Sequence, residues 1–392
     1  MPRSDGADLR GGAPVDRGPL QGLVVADLSR VLAGPFATML LGDLGADVVK
    51  VEHPDGGDET RAWGPPFSGE HSTYYLAVNR NKRSVALDLK TDAGRRAARA
   101  LAARADVLVE NFKAGGAERL GLTYEEVARN NPGLVWCSIS GFGRGAGAEL
   151  PGYDFLVQAM SGLMSITGPS GGEPTKVGVA LVDVLTGLYA TTGILAALQE
   201  RSRTGRWQRV EVSLLGSALA SLVNQASSFL STGTPPRAMG NRHPSITPYE
   251  TLATADRPLV VAVGNDGQFA RLCRALGRDE LAADPRFATN AGRVTNRDEL
   301  AALLEEALAA RGAADWVAAL AEAGVPCGLV NDVGEAFALA QRLGLDPVAD
   351  AGGIPQVANP IGLSATPVSY RLAPPVLGQH TAEVLRWLAT AP

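Results

Sequence analysis

The chain has 392 residues, 45% of them hydrophobic, and a formal net charge of −5 at pH 7. This length predicts two domains, and the acidic balance gives no reason to expect a nucleic-acid partner. Three cysteines far apart in the sequence indicate a reducing compartment without a disulfide framework, so a cytoplasmic location is expected. The four histidines are not spaced as metal ligands, which disfavours a metal site.

Association with a membrane is not expected. The first 18 residues are polar and rich in glycine, lack the apolar centre of a signal peptide, and are predicted to be a disordered extension. We expect no membrane-spanning helix, because no apolar run is expected to reach the roughly 18 residues that such a helix needs.

Strands and helices alternate through the N-terminal half. The patterns predict strands at 22–28, 46–52, 83–89, 106–112 and 134–143, and helices at 34–45, 93–105 and 124–132. This alternation favours an α/β layer fold with a mostly parallel sheet. A dinucleotide-binding dehydrogenase would carry G-x-G-x-x-G after the first strand. The sequence there, DLSRVLAGP (27–35), has a single glycine, which disfavours that class of enzyme.

The pattern changes after about residue 205. A long helix rich in small residues is predicted at 213–232, followed by an irregular stretch at 233–250. A strand at 258–264, helices at 267–277, 297–310 and 313–324, and a closing segment at 325–332 predict a smaller, mainly helical α/β unit. The last predicted helix covers 378–390.

A single charge, Asp183, interrupts the apolar stretch VGVALVDVLTGLYATTGILAAL (177–198). Leu181 and Val182 are predicted to end a short strand, and apolar residues recur at helical spacing from Val184 onward. Asp183 would then be the N-cap of that helix. Alternatively it is a reactive carboxylate, whose ionised form the helix dipole favours. Both roles remain open, because a capping carboxylate can also be a nucleophile.

Several ordered stretches together resemble the type III CoA-transferases, a superfamily that also contains α-methylacyl-CoA racemase. They include LQGLVVADLSRVLAGPFATMLLGDLGADVVKVEHPDGGDETR (20–61), NRNKRSVALDLK (79–90), DVLVENFKAGG (106–116), GYDFLVQAMSGLMSITG (152–168), VDVLTGLYA (182–190), TGRWQRVEVSLL (204–215) and PVLGQHT (375–381). The resemblance extends over essentially everything after residue 18.

The resemblance implies an interlocked-ring homodimer in which each chain threads through the other. A large Rossmann-like domain, residues 19–215, would bind CoA, with a linker at 216–247 and a small domain at 248–330. Residues 331–392 would form a second linker and return to the large domain. The implied partners are an acyl-CoA, a carboxylic acid and a second copy of the chain, with no nucleic acid and no membrane. CoA is a substrate here, and no tightly bound cofactor is expected.

The resemblance makes Asp183 the nucleophile, which forms an anhydride with the donor acyl group and then a thioester with CoA. Tyr153 would lie near the thioester. The alternative is racemase-type proton transfer, for which the superfamily uses a Gly-His-Asp motif. This chain has Gly152-Tyr153-Asp154 instead. A tyrosine, with a reference pKa near 10, is a poor general base beside a histidine near 6.5.

The resemblance also implies which residues contact CoA. They are Leu32, Ala33, His53, Leu87, Lys90, Asn111, Phe112, Lys113, Arg119 and Asp154. The cationic members suit the anionic phosphates of CoA.

Within the superfamily, HPSITPYETLAT (243–254), VVAVGNDGQFARLCRALG (260–277) and TNAGRVTNRDEL (289–300) resemble members that use dicarboxylates, with succinyl-CoA as donor and an acceptor such as glutarate. A dicarboxylate brings a second charge that a water-poor site must pair. An arginine can meet it with two hydrogen bonds. Arg30, Arg80 and Arg242 are unranked candidates in predicted loops, and His243 lies beside the last.

Overall fold

The computed structural model describes residues 18–390, so the predicted extension at 1–18 lies outside it except for Gly18. The described residues form two units. The larger unit comprises 18–163, 177–233 and 346–390, and the smaller comprises 164–176 and 234–345. These bounds differ from the predicted ones. Most of the predicted linker at 216–247 is helical and belongs to the larger unit, and the smaller unit continues past residue 330.

Strands and helices alternate from residue 24 to residue 232, with a single turn of 3-10 helix at Glu59–Ala62. They are β1 (Val24–Asp27), α1 (Ala33–Asp43), β2 (Asp47–Glu52), β3 (Phe67–Ser68), β4 (His71–Ser72), α2 (Thr73–Val78), β5 (Lys82–Ala86), α3 (Asp92–Arg104), β6 (Val107–Glu110), α4 (Gly116–Arg119), α5 (Tyr124–Asn130), β7 (Val135–Ser140), α6 (Asp154–Met160), α7 (Leu163–Ile166), α8 (Leu181–Thr204), β8 (Gln208–Ser213), α9 (Leu214–Ser221) and α10 (Val223–Thr232). The single helix predicted at 213–232 is therefore wrong: β8 ends at residue 213 and two helices follow.

Six strands of the larger unit form one parallel sheet in the order β5-β2-β1-β6-β7-β8. This confirms the predicted α/β fold with a mostly parallel sheet. Because β1 is central, the chain winds outward from it in both directions. In such sheets ligands bind beside the carboxyl ends of the strands, where the strand order reverses. Here that position lies between β1 and β6.

Helix α8 corrects two expectations about the apolar stretch around Asp183. The strand predicted to end at Val182 does not exist, because the helix begins at Leu181 and runs for 24 residues. Its mean hydropathy of 1.6 makes it long and apolar enough to cross a membrane, contrary to expectation. Its buried residues, among them Ala190 and Ile194, lie in the core of the larger unit. A central position in that core accounts for its composition.

Helices α1 and α8 pack at unusually close range because glycines lie where they meet. A Cβ atom on Gly187 would lie 2.8 Å from the carbonyl oxygen of Ala33, and one on Gly34 would lie 2.3 Å from the side chain of Ser29. Real Cβ atoms do not approach other atoms so closely. The start of α1 is therefore fixed against both the end of β1 and the first turns of α8.

The smaller unit is mainly helical, as predicted, around a short antiparallel sheet. Its elements are β9 (Tyr249–Leu252), β10 (Leu259–Ala262), α11 (Asp266–Ala275), α12 (Asp279–Ala283), α13 (Asn290–Thr295), α14 (Arg297–Leu308), α15 (Ala313–Glu322), β11 (Cys327–Leu329) and α16 (Val333–Arg342). The sheet order is β11-β10-β9. Phe269, Phe287 and Trp316 are buried in its own core.

The C-terminal segment returns to the larger unit with β12 (Val348–Ala351), β13 (Ile354–Val357) and α17 (Thr381–Ala389). Buried polar contacts attach it to the end of α1. The guanidinium of Arg371 donates hydrogen bonds to the carbonyl oxygens of Gly42, Gly45 and Ala46 at 2.9–3.1 Å. These bonds satisfy carbonyl groups at the helix end.

Arg80 belongs to this attachment, which corrects its candidacy for substrate binding. Its Nε and Nη2 donate to the carboxylate of Asp43 at 2.9 and 2.7 Å, and its Nη1 donates to the carbonyl of Val357 at 3.0 Å. The side chain is only 3% exposed. Asn81 and Asn359 also donate to Asp43. The guanidinium is therefore committed to the fold, which removes it from the candidates for substrate binding.

The buried pair between Arg80 and Asp43 should be important for stability. We predict that Arg80→Met, which leaves a buried carboxylate without its cation, lowers the free energy of unfolding by about 3–5 kcal/mol. The matched control is Arg203→Met, since Arg203 pairs with Glu200 at the surface and such pairs contribute at most about 1 kcal/mol. Urea unfolding followed by tryptophan fluorescence measures both. Similar losses in the two variants would contradict the prediction.

Candidate active site

Two cavities border the carboxyl ends of the parallel strands of the larger unit. The larger cavity has a volume of about 430 Å³ and extends from the start of α1 to Asp183. The smaller cavity, of about 260 Å³, lies beside the ends of β2 and β5. Arg30 and Phe112 line both. They therefore lie where a long ligand could pass from one cavity to the other.

Asp183 lies in the first turn of α8 and is 9% exposed. It is not the N-cap, which corrects the sequence prediction: Ala180 occupies that position. The cap is supplied instead by Asp154, whose Oδ1 accepts hydrogen bonds from the backbone N–H groups of Val182 and Asp183 at 2.8 and 3.1 Å. The carboxylate of Asp183 is therefore free of capping and lines the larger cavity.

Burial raises the pKa of Asp183 to about 7, and the neighbouring charge of Asp154 adds to the effect. The helix dipole opposes this shift, because it favours negative charge at the N-terminus. Desolvation is the larger effect here. Near neutral pH the side chain is therefore divided between its protonated and ionised forms. A carboxylate that is ionised yet poorly hydrated is a reactive one.

Asp154 has a different role from the one expected for it. It was expected to contact CoA, but it lines neither cavity. Its Oδ2 accepts a hydrogen bond from Nε2 of Gln158 at 2.7 Å, and Oε1 of Gln158 accepts from the N–H of Val177 at 2.9 Å. These bonds hold Asp154 against the start of α8. Asp154 thus fixes the position of Asp183 and influences its charge.

Two tyrosines lie near Asp183, and only one was identified from the sequence. Tyr153 is 61% exposed and lines the larger cavity, in keeping with its expected place near a thioester. Tyr74 on α2 was missed. Burial raises the pKa of Tyr74 to about 12, and Asp183 and Asp154 are the next causes. A tyrosine this close to Asp183 can donate a hydrogen bond to an oxygen held there. No sequence motif marks it.

Most residues expected to contact CoA line the cavities. His53, Leu87 and Lys90 line the smaller cavity, while Leu32, Ala33, Asn111 and Lys113 line the larger one, and Phe112 lines both. Arg119 lines neither cavity. It is exposed on α4 and donates to the carbonyl of Ala114.

The three arginine candidates now differ. Arg30 lines both cavities and is half-exposed, in a surface ion pair with Glu59 at 2.8 Å. Arg80 is buried against Asp43. Arg242 belongs to the smaller unit, where it pairs with Glu250 and Asp298. His243 belongs to that unit too and packs against Tyr249.

Residues 18–390 contain no group of three or more histidine, cysteine, aspartate or glutamate side chains that could hold a metal ion. The chemistry available at Asp183 is therefore argued from carboxylate, hydroxyl and cationic side chains.

Comparison with known families matches residues 20–381 to CoA-transferase family III. The chain is 46% identical over 389 residues to a succinate–glutarate CoA-transferase of Agrobacterium fabrum, covering 96% of this chain and 97% of that protein. It is 42% identical over 374 residues to succinyl-CoA:glutarate CoA-transferase of Homo sapiens, covering 94% and 85%. A solved CAIB/BAIF family protein from Brucella suis has a TM-score of 0.87 at 46% identity, covering 95% and 100%.

The titration of Asp183 can be tested directly. We predict that Asp154→Asn lowers the pKa of Asp183, because it removes a like charge but keeps an oxygen that can cap α8. The pKa should stay above the reference value near 3.9, since burial remains. Difference infrared titration of the carboxyl band, with Asp183→Asn to identify the signal, measures it. An unchanged or increased pKa in Asp154→Asn would contradict this account.

The same pKa makes a prediction about stability. Because the pKa of Asp183 is higher in the folded state than in the unfolded state, its ionisation lowers stability as the pH rises from about 4 through about 7. Asp183→Asn should therefore raise the melting temperature, relative to the wild type, more at pH 8 than at pH 5. Thermal unfolding at the two pH values checks this.

Proposed function

We propose that this chain, which belongs to CoA-transferase family III, moves CoA from succinyl-CoA to a short dicarboxylic acid such as glutarate through covalent intermediates on Asp183. The observation that carries this proposal is a nearly buried carboxylate, released from helix capping by Asp154, in a cavity that continues past cationic loops. The substrates follow the names of the relatives in Agrobacterium fabrum and Homo sapiens.

The proposed reaction begins with attack of the Asp183 carboxylate on the thioester carbonyl of the donor. The carbon–sulfur bond breaks, which leaves a mixed anhydride on Asp183 and CoA thiolate in the cavity. The thiolate then attacks the aspartyl carbonyl, releases the donor acid and forms an aspartyl-CoA thioester. The acceptor carboxylate repeats these steps in reverse, and Asp183 is regenerated as acyl-CoA leaves. Each difficult acyl exchange is thus divided into easier ones.

The surroundings of Asp183 favour such a sequence because the anhydride must not meet water. Val182, Gly187 and Ala190 surround it on α8 with buried, non-hydrolytic groups. Tyr74 and Tyr153 are the nearby hydroxyl donors for a thioester carbonyl that becomes negative during attack.

CoA is proposed to occupy both cavities. Its phosphates and nucleotide would lie in the smaller cavity, where Lys90 and His53 supply cationic or hydrogen-bonding groups. The pantetheine arm would pass Phe112, which lines both cavities, and bring the thioester to Asp183. This places the two ends of one long ligand in the two cavities.

Arg30 is the proposed partner of the second carboxylate of a dicarboxylate. It lies in the larger cavity with Asp183, and its pairing with Glu59 is half-exposed on both sides. Exposed ion pairs are held only weakly, so a substrate carboxylate can replace Glu59 without breaking a buried interaction. The planar guanidinium can then form two hydrogen bonds with it.

A second copy of the chain is proposed to cover part of the larger unit. Apolar side chains are exposed on neighbouring helices: Leu188 and Tyr189 on α8, Leu219 on α9, and Val223 and Leu230 on α10. A concentration of this kind is typical of an interaction surface. The proposal keeps the interlocked homodimer expected from the family.

The nucleophile is tested by substitution and by capture. Asp183→Ala and Asp183→Asn should bind CoA but lose acyl exchange by about a thousandfold or more, since no other group can form the anhydride. In the wild type, incubation with succinyl-CoA followed by hydroxylamine or borohydride should modify Asp183, as read by peptide mass spectrometry. Retention of more than about a tenth of kcat in Asp183→Ala would exclude this mechanism.

The role of Arg30 is tested by comparing acceptors. Arg30→Met should lower kcat/KM for glutarate by about ten- to a hundredfold, which corresponds to about 1.5–3 kcal/mol for a hydrogen-bonded charge. Butyrate, which lacks the second carboxylate, should be nearly unaffected. Glu59→Gln is the control, because it frees Arg30 and should not weaken glutarate. An increase in KM for succinyl-CoA that is equal with both acceptors would show that Arg30 binds CoA instead.

A further inference from the structure

The turn between β1 and α1 contains a strained residue. Val31 has a φ angle of 70°, in the left-handed region that β-branched residues rarely adopt. It occupies the part of the fold where nucleotide-binding relatives of this sheet order carry glycine. Such a conformation persists only where the surroundings hold it. The contacts of this turn therefore identify the groups that hold it.

On one side the turn is held by Asn111, which follows β6. Its Oδ1 accepts a hydrogen bond from the N–H of Arg30 at 3.0 Å, and its Nδ2 donates to the carbonyl of Arg30 at 2.8 Å. Both backbone polar groups of one residue thus pair with one side chain. This contact prolongs the parallel pairing of β1 and β6 beyond their ends, across the position where the strand order reverses.

On the other side the turn is held by a buried ion pair. Nζ of Lys50 lies 2.9 Å from Asp58 and also donates to the carbonyl of Ser29 at 3.0 Å. The carboxylate of Asp58 lies 3.3–3.4 Å from the N–H of Val31. Neither Lys50 nor Asp58 exposes its side chain. Three successive residues, 29 to 31, are therefore fixed by side chains from three other parts of the larger unit.

The turn determines where one wall of the larger cavity lies. Leu32 and Ala33 follow it directly and line that cavity together with Asp183. Ala33 also meets Gly187 of α8 at close range. A change in the backbone at Val31 would move this wall relative to Asp183.

We propose that Asn111 is a positioning residue: it clamps the turn at Arg30, against the Lys50–Asp58 pair, and keeps Val31 in the left-handed conformation that the CoA cavity requires. The identity of the ligand rests on the proposed function. The amide of Asn111 is fully engaged by the backbone of Arg30 and acts on CoA through the turn.

The test compares two ways of shortening Val31. Asn111→Ala should weaken CoA binding at least tenfold by calorimetry, because the turn relaxes. Adding Val31→Gly should restore most of the affinity, since glycine adopts positive φ freely. Adding Val31→Ala, which removes the same branched side chain but keeps a Cβ, should not. Asn130→Ala, on the exposed face of α5 where Asn130 bonds only within its helix, is the matched control and should bind normally.

A second readout does not depend on the ligand. Amide exchange in a peptide covering 28–36 should become faster in Asn111→Ala and return toward the wild-type rate with Val31→Gly. Failure of the wild type to bind CoA would reject the proposed function while this exchange still tests the clamp. Unchanged affinity and exchange in Asn111→Ala would overturn the proposal, as would equal rescue by Val31→Gly and Val31→Ala.

Discussion

Asp154 accepts two backbone N–H groups from the first turn of α8, and the chemistry of the site depends on this contact. A helix N-terminus favours one negative charge, and Asp154 supplies it. The carboxylate of Asp183, in the same turn, is then both desolvated and next to a like charge. Its pKa rises to about 7 for these reasons. A single cap thus frees the second carboxylate from the helix and makes its ionisation costly.

The walls of the cavity follow from close packing around that helix. Gly187 and Gly34 let the start of α1 approach α8 and the end of β1 more closely than any side chain would allow. The parallel sheet directs the ends of β1 and β6 to the same edge, where Asn111 joins them. Position of the nucleophile and shape of the cavity are therefore consequences of the same contacts.

The repeated strand–helix pattern predicted the parallel sheet, and family resemblance singled out Asp183. Both are local signals. The predicted cap was wrong because the true cap comes from Asp154, 29 residues earlier, and no local pattern reveals a partner so distant. Arg80 has the composition of a loop arginine. Its burial depends on Asp43, 37 residues away, and on the C-terminal segment, so sequence spacing could not exclude it.

Val31 shows why a sequence signature for a tight turn can be absent while the turn is present. Glycine lowers the intrinsic cost of a positive φ angle, but surrounding contacts can hold another residue there instead. In this chain Asn111 and Asp58 bind the backbone on both sides of Val31. The missing glycine motif correctly disfavoured a dinucleotide site. It did not mean that the backbone follows an ordinary path, because the constraint lies in side chains from other strands and loops.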